Sequence, residues 1–260
     1  MSELILSRLR FEDFFKFCES GSDGKKYRGQ INEIIEKKRK DLIILYEDLM
    51  EFDHPLAIEL KNNPEIELEN ANTALKNLIM KYNGNSIEGQ HQVRITTEEG
   101  HCPLIVSINT LRSNHISKLI ICEGIVTHLQ EVHRKRYSSS FECQLCGSKI
   151  EVYQNKREIR YPPYCCNPNC KAHQRKDFKL IIGPCKYFKY QNFRLQTLQD
   201  KISCGVQKRD VKVVLIDNLV YSINSGDKVL VTGIFRPITH YDNIQNIDFS
   251  IEANYIKQIN

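Results

Sequence analysis

The sequence Cys143-Gln-Leu-Cys146-Gly147 is followed by Cys165-Cys166-Asn-Pro-Asn-Cys170, with eighteen residues between Cys146 and Cys165. A short turn lets two thiolates reach one tetrahedral ion at a distance of about 2.3 Å, and a glycine after the second cysteine relieves crowding at that turn. Four sulfur ligands close the coordination shell. We therefore predict a structural zinc site that holds a small insertion with too little apolar area to fold alone.

The predicted ligands are Cys143, Cys146, Cys165 and Cys170. Cys166 is also sterically possible in place of Cys165, His173 is a distant reserve ligand, and free buried thiols are the alternative to a metal site. The other five cysteines have no spacing partners, and since a reducing cytosol does not maintain disulfides, we interpret them as small buried hydrophobes. These are Cys18, Cys102, Cys122, Cys185 and Cys204.

Residues 1–91 are predicted to form a bundle of three or four helices, the first beginning near Leu4. Apolar residues recur there at intervals of three and four, which is the period of an amphipathic helix. Clear examples are Ile31, Ile34, Ile35, Leu42, Leu45, Tyr46 and Leu49, and a second set from Ala71 to Tyr82.

From residue 92 the pattern changes to short β-strands separated by Asn, Gly, Asp and Ser. The predicted strands are 93–97, 104–108, 119–127, 211–216, 228–235 and 247–256. Such strands fit a five-stranded oligonucleotide-binding (OB) barrel, and Gly124 indicates a sharp coil or bulge. The predicted α+β chain thus has a helical bundle (1–91), an OB segment (92–139), a zinc-ribbon-like insertion (140–180) and a second OB segment (181–260) with a projecting hairpin at about 199–212.

The net charge is +5, and the basic excess lies in residues 101–260, which hold 23 Lys/Arg and 13 Asp/Glu. Arg134, Lys135 and Arg136 are predicted to lie in the first long loop of the barrel, where OB proteins bind oligonucleotides, and would neutralise phosphates without reading bases. A solvated charge run is the alternative. Lys201, Lys208 and Arg209 are predicted to lie near the base of the hairpin.

Aromatic and basic residues interleave between Tyr187 and Arg194. This pattern occurs where bases stack on rings, but such rings more often belong to a barrel core. We therefore interpret only Arg194 as a nucleic-acid contact.

Catalytic and membrane functions find little support in the sequence. The only Gly-Lys pair, Gly24-Lys25, lacks both the preceding glycine and the following Ser/Thr of a phosphate-binding loop, and no His-x-Glu accompanies the cysteines. No apolar run approaches the roughly 18 residues that span a bilayer. We predict a non-catalytic nucleic-acid-binding module that does not enter a membrane.

Eight segments then follow one another in the order known from one protein family. They are 11–15, 49–57, 124–126, the Cys143 knuckle, 188–196, 208–209, 213–220 and 226–233. Jointly they resemble the N-terminal region of minichromosome maintenance (MCM) helicases, particularly archaeal ones, across essentially the whole chain.

This resemblance implies a ring, commonly a hexamer and often a double hexamer joined head to head. It implies that Arg134, Arg136 and Arg194 contact single-stranded DNA, that Lys201, Lys208 and Arg209 belong to a hairpin in the channel, and that duplex DNA is a further partner. ATP would bind only in a C-terminal ATPase domain, so the resemblance implies an N-terminal fragment of an ATP-dependent DNA helicase. An archaeal cytoplasm, or a nucleus in a eukaryote, would be its location.

Two other classes compete with this interpretation. A stand-alone single-strand-binding OB protein would use the helical domain as an interaction platform, and ring formation disfavours it. A zinc nuclease or hydrolase would need an open coordination position and a general base, which a site of four sulfurs lacks.

Overall fold

The computed structural model describes residues 2–18, 26–84, 91–98, 102–154, 159–198, 209–238 and 248–259. The chain forms two compact units. The first comprises Met1–Leu129, Phe193–Val214 and Tyr221–Asn260, and the second comprises Gln130–Asn192 and Leu215–Val220. Within the described ranges, no helix has the length and apolar character needed to cross a membrane.

Five helices and nine strands follow one another along the described chain. The helices are α1 Ser2–Phe17, α2 Lys26–Ile35, α3 Tyr46–Phe52, α4 His54–Asn62 and α5 Pro64–Asn83. The strands are β1 Leu42–Leu45, β2 Val93–Thr96, β3 Leu119–Thr127, β4 His133–Cys143, β5 Lys149–Tyr153, β6 Phe178–Gln196, β7 Asp210–Ile216, β8 Lys228–Ile238 and β9 Asp248–Gln258. The α+β prediction, with helices first and a β region after them, is confirmed.

The helical part contains a small parallel sheet that the sequence pattern did not predict. Leu42 to Leu45, predicted as helix, form β1, which pairs in register with β2 from Leu42↔Val93 to Leu45↔Thr96. Leu42 and Ile44 are fully buried, which is the every-second-residue pattern of a half-buried strand. In this short run that pattern coincides with the apolar spacing from which we predicted a helix. The prediction that 93–97 belongs to the barrel is therefore wrong.

Four strands and the last residues of a fifth, β6, close into the predicted barrel. Their order is β3-β8-β9-β7-β6, and the last residues of β6 pair back onto β3 from Ile125↔Gln196 to Thr127↔Arg194. Residues 104–108, predicted as a strand, instead form a turn with one bridge, Ile105↔Ile121. Leu104 is buried, so it packs into the core without forming a strand.

The barrel and the helices of the first unit share one apolar core. Leu119 and Ile121 of β3 and Leu230 of β8 cluster with the buried helical residues. The side-chain amide of Asn254 adds a polar link, because its oxygen accepts the Ile95 N–H at 2.7 Å and its nitrogen donates to the Val93 carbonyl at 3.1 Å. These bonds satisfy the edge of β2 that does not face β1.

Gly124 lies where β3 meets the end of β6. A Cβ atom at this position would stand 2.5 Å from the Gln196 carbonyl oxygen and 2.9 Å from Leu195 Cγ. The β3–β8 register continues without a shift from Leu119 to Ile125, so of the two predicted alternatives, a sharp coil or a bulge, the bulge is absent. Gly124 is required for the close approach of two backbones that closes the barrel.

The second unit is built on an antiparallel ribbon of β4, β5 and residues 178–192 of β6. Phe141 and Phe178, both buried, form its small core together with Cys143, Cys165 and Ala172. The prediction that 133–137 is a loop is wrong, because these residues begin β4. The insertion predicted at 140–180 lies within this unit, whereas 199–208 of the predicted hairpin lie outside the described residues.

Arg10 and Asp53 form a two-pronged ion pair between α1 and the start of α4. Arg10 Nε donates to one Asp53 oxygen at 2.7 Å and Nη2 to the other at 2.5 Å, and Asp53 also accepts the Leu56 N–H at 3.2 Å. The guanidinium holds the pKa of Asp53 below its ordinary value. The pair links two helices and caps one of them.

Replacing Gly124 by alanine is expected to destabilise the first unit by about 1–3 kcal/mol, since the new Cβ must displace the β6 backbone. Gly29→Ala is the matched control, because a Cβ there meets nothing within 4 Å and alanine favours the helix by about 0.5–1 kcal/mol. Urea unfolding followed by circular dichroism measures both. An unchanged unfolding midpoint for Gly124→Ala would contradict the close approach.

Asp53→Asn should cost about 1–3 kcal/mol at pH 7, because it removes the ion pair but keeps a side chain that can cap α4. A carboxylate whose pKa is lower in the folded than in the unfolded state stabilises the fold fully at pH values above its unfolded pKa of about 3.9. That stabilisation is lost as the pH falls through the folded-state pKa. The stability gap between wild type and variant should therefore close below about pH 4 in denaturant titrations. The exposed Asp13→Asn is the control, and a gap that stays constant down to pH 3 would refute the ion-pair assignment.

Candidate metal centre and nucleic-acid interface

The four cysteines predicted as ligands converge in the second unit. The sulfur atoms of Cys143, Cys146, Cys165 and Cys170 all lie within 4.8 Å of one another. Cys143 Sγ is 3.6 Å from Cys170 Sγ, and Cys146 Sγ is 3.5 Å from Cys165 Sγ. The edge of a sulfur tetrahedron around zinc is about 3.8 Å for bonds of about 2.3 Å, so the cluster fits such an ion.

The local backbone explains why these sulfurs meet. Gly147 has φ +73°, a conformation that favours glycine, and its N–H donates to the Cys143 carbonyl at 2.8 Å. On the other side, the Asn167 N–H donates to Cys165 Sγ at 3.4 Å. Ser148 Oγ lies 3.2 Å from Cys146 Sγ, and this hydrogen bond is the main cause that lowers the pKa of the Cys146 thiol to about 6.

The two alternative ligands lie apart from this cluster. Cys166 is exposed, and its sulfur lies 3.9 Å from the Lys149 carbonyl. His173 is also exposed, with Nδ1 2.8 Å from the carbonyl of Lys171. Neither side chain belongs to the cluster that could hold a metal ion.

The cysteines without spacing partners are buried wherever the structure describes them. Burial raises the pKa of Cys18 and Cys102 to about 11 and that of Cys122 to about 12, so these thiols stay protonated at neutral pH. Cys185 is buried as well, and its thiol donates to the Ile181 carbonyl at 3.1 Å. Cys204 lies outside the described residues.

The predicted basic residues of the second unit stand on β4, opposite β6. Arg134 pairs with Lys189, Lys135 with Phe188 and Arg136 with Tyr187. Directly opposed residues share a face of a ribbon and neighbours along a strand alternate, so Arg134 and Arg136 lie on one face and Lys135 on the other. We call Arg134, Arg136, Tyr187 and Lys189 the basic face.

The opposite face carries rings that contact one another. The His133 and Tyr190 ring centroids are 5.6 Å apart, those of Phe188 and Tyr190 are 6.4 Å apart, and those of Tyr137 and Phe188 are 6.2 Å apart. Lys135 is exposed on this face. The interpretation of the 187–194 aromatics as barrel core holds for buried Phe193 but is wrong for Tyr187, which is 45% exposed.

Arg194 and Arg209 belong to the first unit, where both line a groove of about 260 Å³. Phe235 and Phe249 stack in its wall with centroids 5.1 Å apart, and Lys212 adds a third basic side chain. Arg194 is half exposed and pairs with Asp210 at 3.4 Å. Lys201 and Lys208 lie outside the described residues.

Tyr187, Lys189 and Lys212 are the candidate contacts that sequence reasoning did not select. Tyr187 and Lys189 are more than 50 residues from Arg134 in the chain and face it only because β4 and β6 pair. The available signal was the alternation from Tyr187 to Arg194, which places every second residue on one face.

The chain matches two family descriptions that together cover most of its length. Residues 8–97 match the MCM N-terminal domain, and residues 107–239 match the MCM OB domain. The boundary between the two matches falls after β2 and before β3, which agrees with β2 pairing inside the helical part.

Curated relatives come from archaea and from eukaryotes. The minichromosome maintenance protein MCM of Saccharolobus solfataricus is 29% identical over 231 residues, covering 86% of this chain and 32% of the relative. DNA replication licensing factor Mcm2 of Drosophila melanogaster is 26% identical over 92% of the chain and 26% of its own length. Zygotic DNA replication licensing factor mcm6-B of Xenopus laevis is 27% identical over 86% of the chain and 26% of its length.

The chain therefore spans about a third or less of the length of these relatives. The family profile for the OB domain matches half of the chain, and the helical order, the closed barrel and the cysteine cluster agree with the predicted resemblance. The chain belongs to the minichromosome maintenance family, with that family's N-terminal and OB domains.

Proposed function

We propose that this chain is the DNA-binding collar of a ring-shaped replicative helicase, without a catalytic site of its own. It holds single-stranded DNA, and also duplex DNA, chiefly through positive charge. In this proposal an ATPase domain of the longer helicase supplies ATP hydrolysis, and the collar assembles the hexamer or double hexamer and supports movement along DNA. Its compartment is the archaeal cytoplasm or, in a eukaryote, the nucleus.

The observation that carries the proposal is the pair Arg134 and Arg136 on the basic face. Strand geometry places them about 7 Å apart on one side of the ribbon. Within the described part of the chain, neither has a carboxylate at ion-pair distance. Unneutralised arginines side by side suit phosphates, whose counterions they displace on binding.

Lys135 and the first-unit residues extend the proposed DNA contacts. Lys135 is exposed on the other face of the ribbon, while Arg194 and Arg209 line a groove with an aromatic wall. Asp210 already neutralises part of the Arg194 charge, so we rank Arg194 below the β4 arginines in the described structure. Lys201 and Lys208 remain proposed contacts on the strength of the family resemblance alone.

The four clustered thiols are proposed to hold one structural zinc ion. Cys143 and Cys165 are buried against Phe141 and Phe178 in a core of only a few apolar side chains. Such a core contributes little stability by itself, and metal binding by four thiolates would supply the rest. Four sulfurs leave no open coordination position, which fits a structural role and disfavours a hydrolase.

Cys146→Ser is expected to reduce zinc content below about one ion per chain and to lower the melting temperature of the second unit. Cys166→Ser is the matched control, since its sulfur lies outside the cluster, and it should keep both values. A chelator should destabilise the wild type and Cys166→Ser but leave Cys146→Ser unchanged. Elemental analysis with calorimetry tests this, and full zinc loading of Cys146→Ser would overturn the ligand set.

The double variant Arg134→Ala, Arg136→Ala should weaken binding to single-stranded oligo-dT and flatten the plot of log affinity against log salt. The slope should fall by about 1.4 units, or about 0.7 for each phosphate that an arginine no longer neutralises. Lys171→Ala, Lys176→Ala removes the same charge from exposed positions of the same unit and should have a smaller effect on the slope.

Fluorescence anisotropy across a salt series, with light scattering on the same sample, measures binding and oligomeric state together. An unchanged slope for the arginine variant would reject these residues as phosphate contacts. Tight, salt-sensitive binding by a protein that stays monomeric at all concentrations would favour the stand-alone single-strand-binding function over the ring.

A further inference from the structure

We infer that Tyr187, aligned by Arg136, is a stacking platform for one base of single-stranded DNA, and that Arg134 and Lys189 bind the phosphates beside that base. The inference rests on the proposed DNA-binding function. It adds a contact that distinguishes single strands from duplex, which charge alone does not do.

Tyr187 has the exposure that a stacking platform requires. It is 45% exposed, whereas the rings of Phe188 and Tyr190 contact each other on the opposite face and are only partly exposed. Phe193, on the same side of β6 further along, is buried in the barrel. Tyr187 therefore has open ring surface in a strand whose other aromatic residues are engaged in packing.

Arg136 holds the tyrosine ring in place. Its guanidinium carbon lies 5.5 Å from the Tyr187 ring centroid, and Nη2 donates to the Tyr187 hydroxyl at 3.3 Å. A guanidinium plane beside an exposed ring combines a charge for a phosphate with a second stacking surface for a base. The two side chains are therefore already in contact without a ligand.

Arg134 and Lys189 supply charge at the next position of the same face. They are directly opposed in the ribbon, and like charges in that position repel each other. Asp217 accepts the backbone N–H of Lys189 at 3.2 Å. Two positive side chains on one face of the ribbon favour a phosphate over an uncharged ligand.

Only single-stranded DNA can offer both a phosphate and an unstacked base to the basic face. A base in a duplex is stacked on both sides, whereas a base in a single strand can leave its neighbours and lie on a ring. Stacking also differs from phosphate binding in its salt dependence, because it releases no counterions. The two contributions can therefore be measured separately.

The test compares wild type with Tyr187→Ala, using the whole zinc-loaded chain and two fluorescent probes, oligo-dT and an abasic strand of equal length. We expect Tyr187→Ala to weaken oligo-dT binding roughly 5- to 100-fold without changing the salt slope. Affinity for the abasic strand and for duplex should stay the same, and Tyr187→Phe should bind nearly as wild type. Tyr153→Ala, which removes a 72% exposed tyrosine from β5 of the same unit, should leave every affinity unchanged.

Three outcomes would overturn the inference. If Tyr187→Ala binds oligo-dT as tightly as wild type while the Arg134, Arg136 double variant binds weakly, stacking fails and the proposed function stands. If Tyr187→Ala lowers the salt slope or loses abasic and duplex binding equally, the tyrosine acts only by positioning Arg136. If the folded wild type binds neither probe at low salt, the proposed function fails and the platform with it.

Discussion

The close approach of β3 and β6 at Gly124 is the constraint on which the barrel depends. An OB barrel closes only if its first strand pairs with a later one, and here the pairing involves three residues of β6. With the Gln196 carbonyl 2.5 Å from the place where a side chain would begin, the two backbones can meet only where one residue has no Cβ. Closure fixes the last residues of β6 and so places the Arg194 side chain in its groove. The preceding residues of β6 form the ribbon with β4, so one strand contributes to both units.

Register links the cysteine cluster to the basic face. Within the second unit, Cys143 at the end of β4 pairs with Phe178, and Arg136 pairs with Tyr187 further along the same two strands. A slip of one residue would move Arg134 and Arg136 relative to their partners and exchange the faces of the ribbon. Shifts already occur between Arg136 and Ser140, which shows that this ribbon accommodates irregularity. A metal bound by Cys143 would fix the β4–β6 register at one end of the ribbon. The contacts between the rings on the face opposite the basic face would fix it at the other end.

Much of the architecture followed from sequence, and the failures have physical causes. Strands β3, β7, β8 and β9 were predicted because they lie in runs rich in β-branched and other apolar residues that turn residues bound on either side. The runs 42–45 and 104–108 are only four or five residues long, and such a length is compatible with helix, strand or buried turn. The structure assigns the first run to β1 through its pairing with β2, a contact across about 50 residues that no local pattern contains. The cysteine cluster was predictable because its chemistry depends on spacing within each pair.

The basic face shows where prediction from sequence stops. Clustered charge identified Arg134 and Arg136, but charge by itself fits a loop, a strand or a solvated helix equally well. Tyr187 and Lys189 become candidate contacts only through the β4 residues opposite them. Those pairs depend on a strand register that contains a shift, which the sequence does not reveal.

Charged and aromatic residues of the basic face also differ in how they would bind DNA. Arginines attract any polyanion and lose that attraction with salt, whereas an exposed ring recognises an unstacked base and is indifferent to salt. If the proposed contacts hold, the arginines would keep the ribbon on DNA whatever the base sequence, because phosphates lie all along a strand, and Tyr187 would favour single strands, because stacking requires an unpaired base.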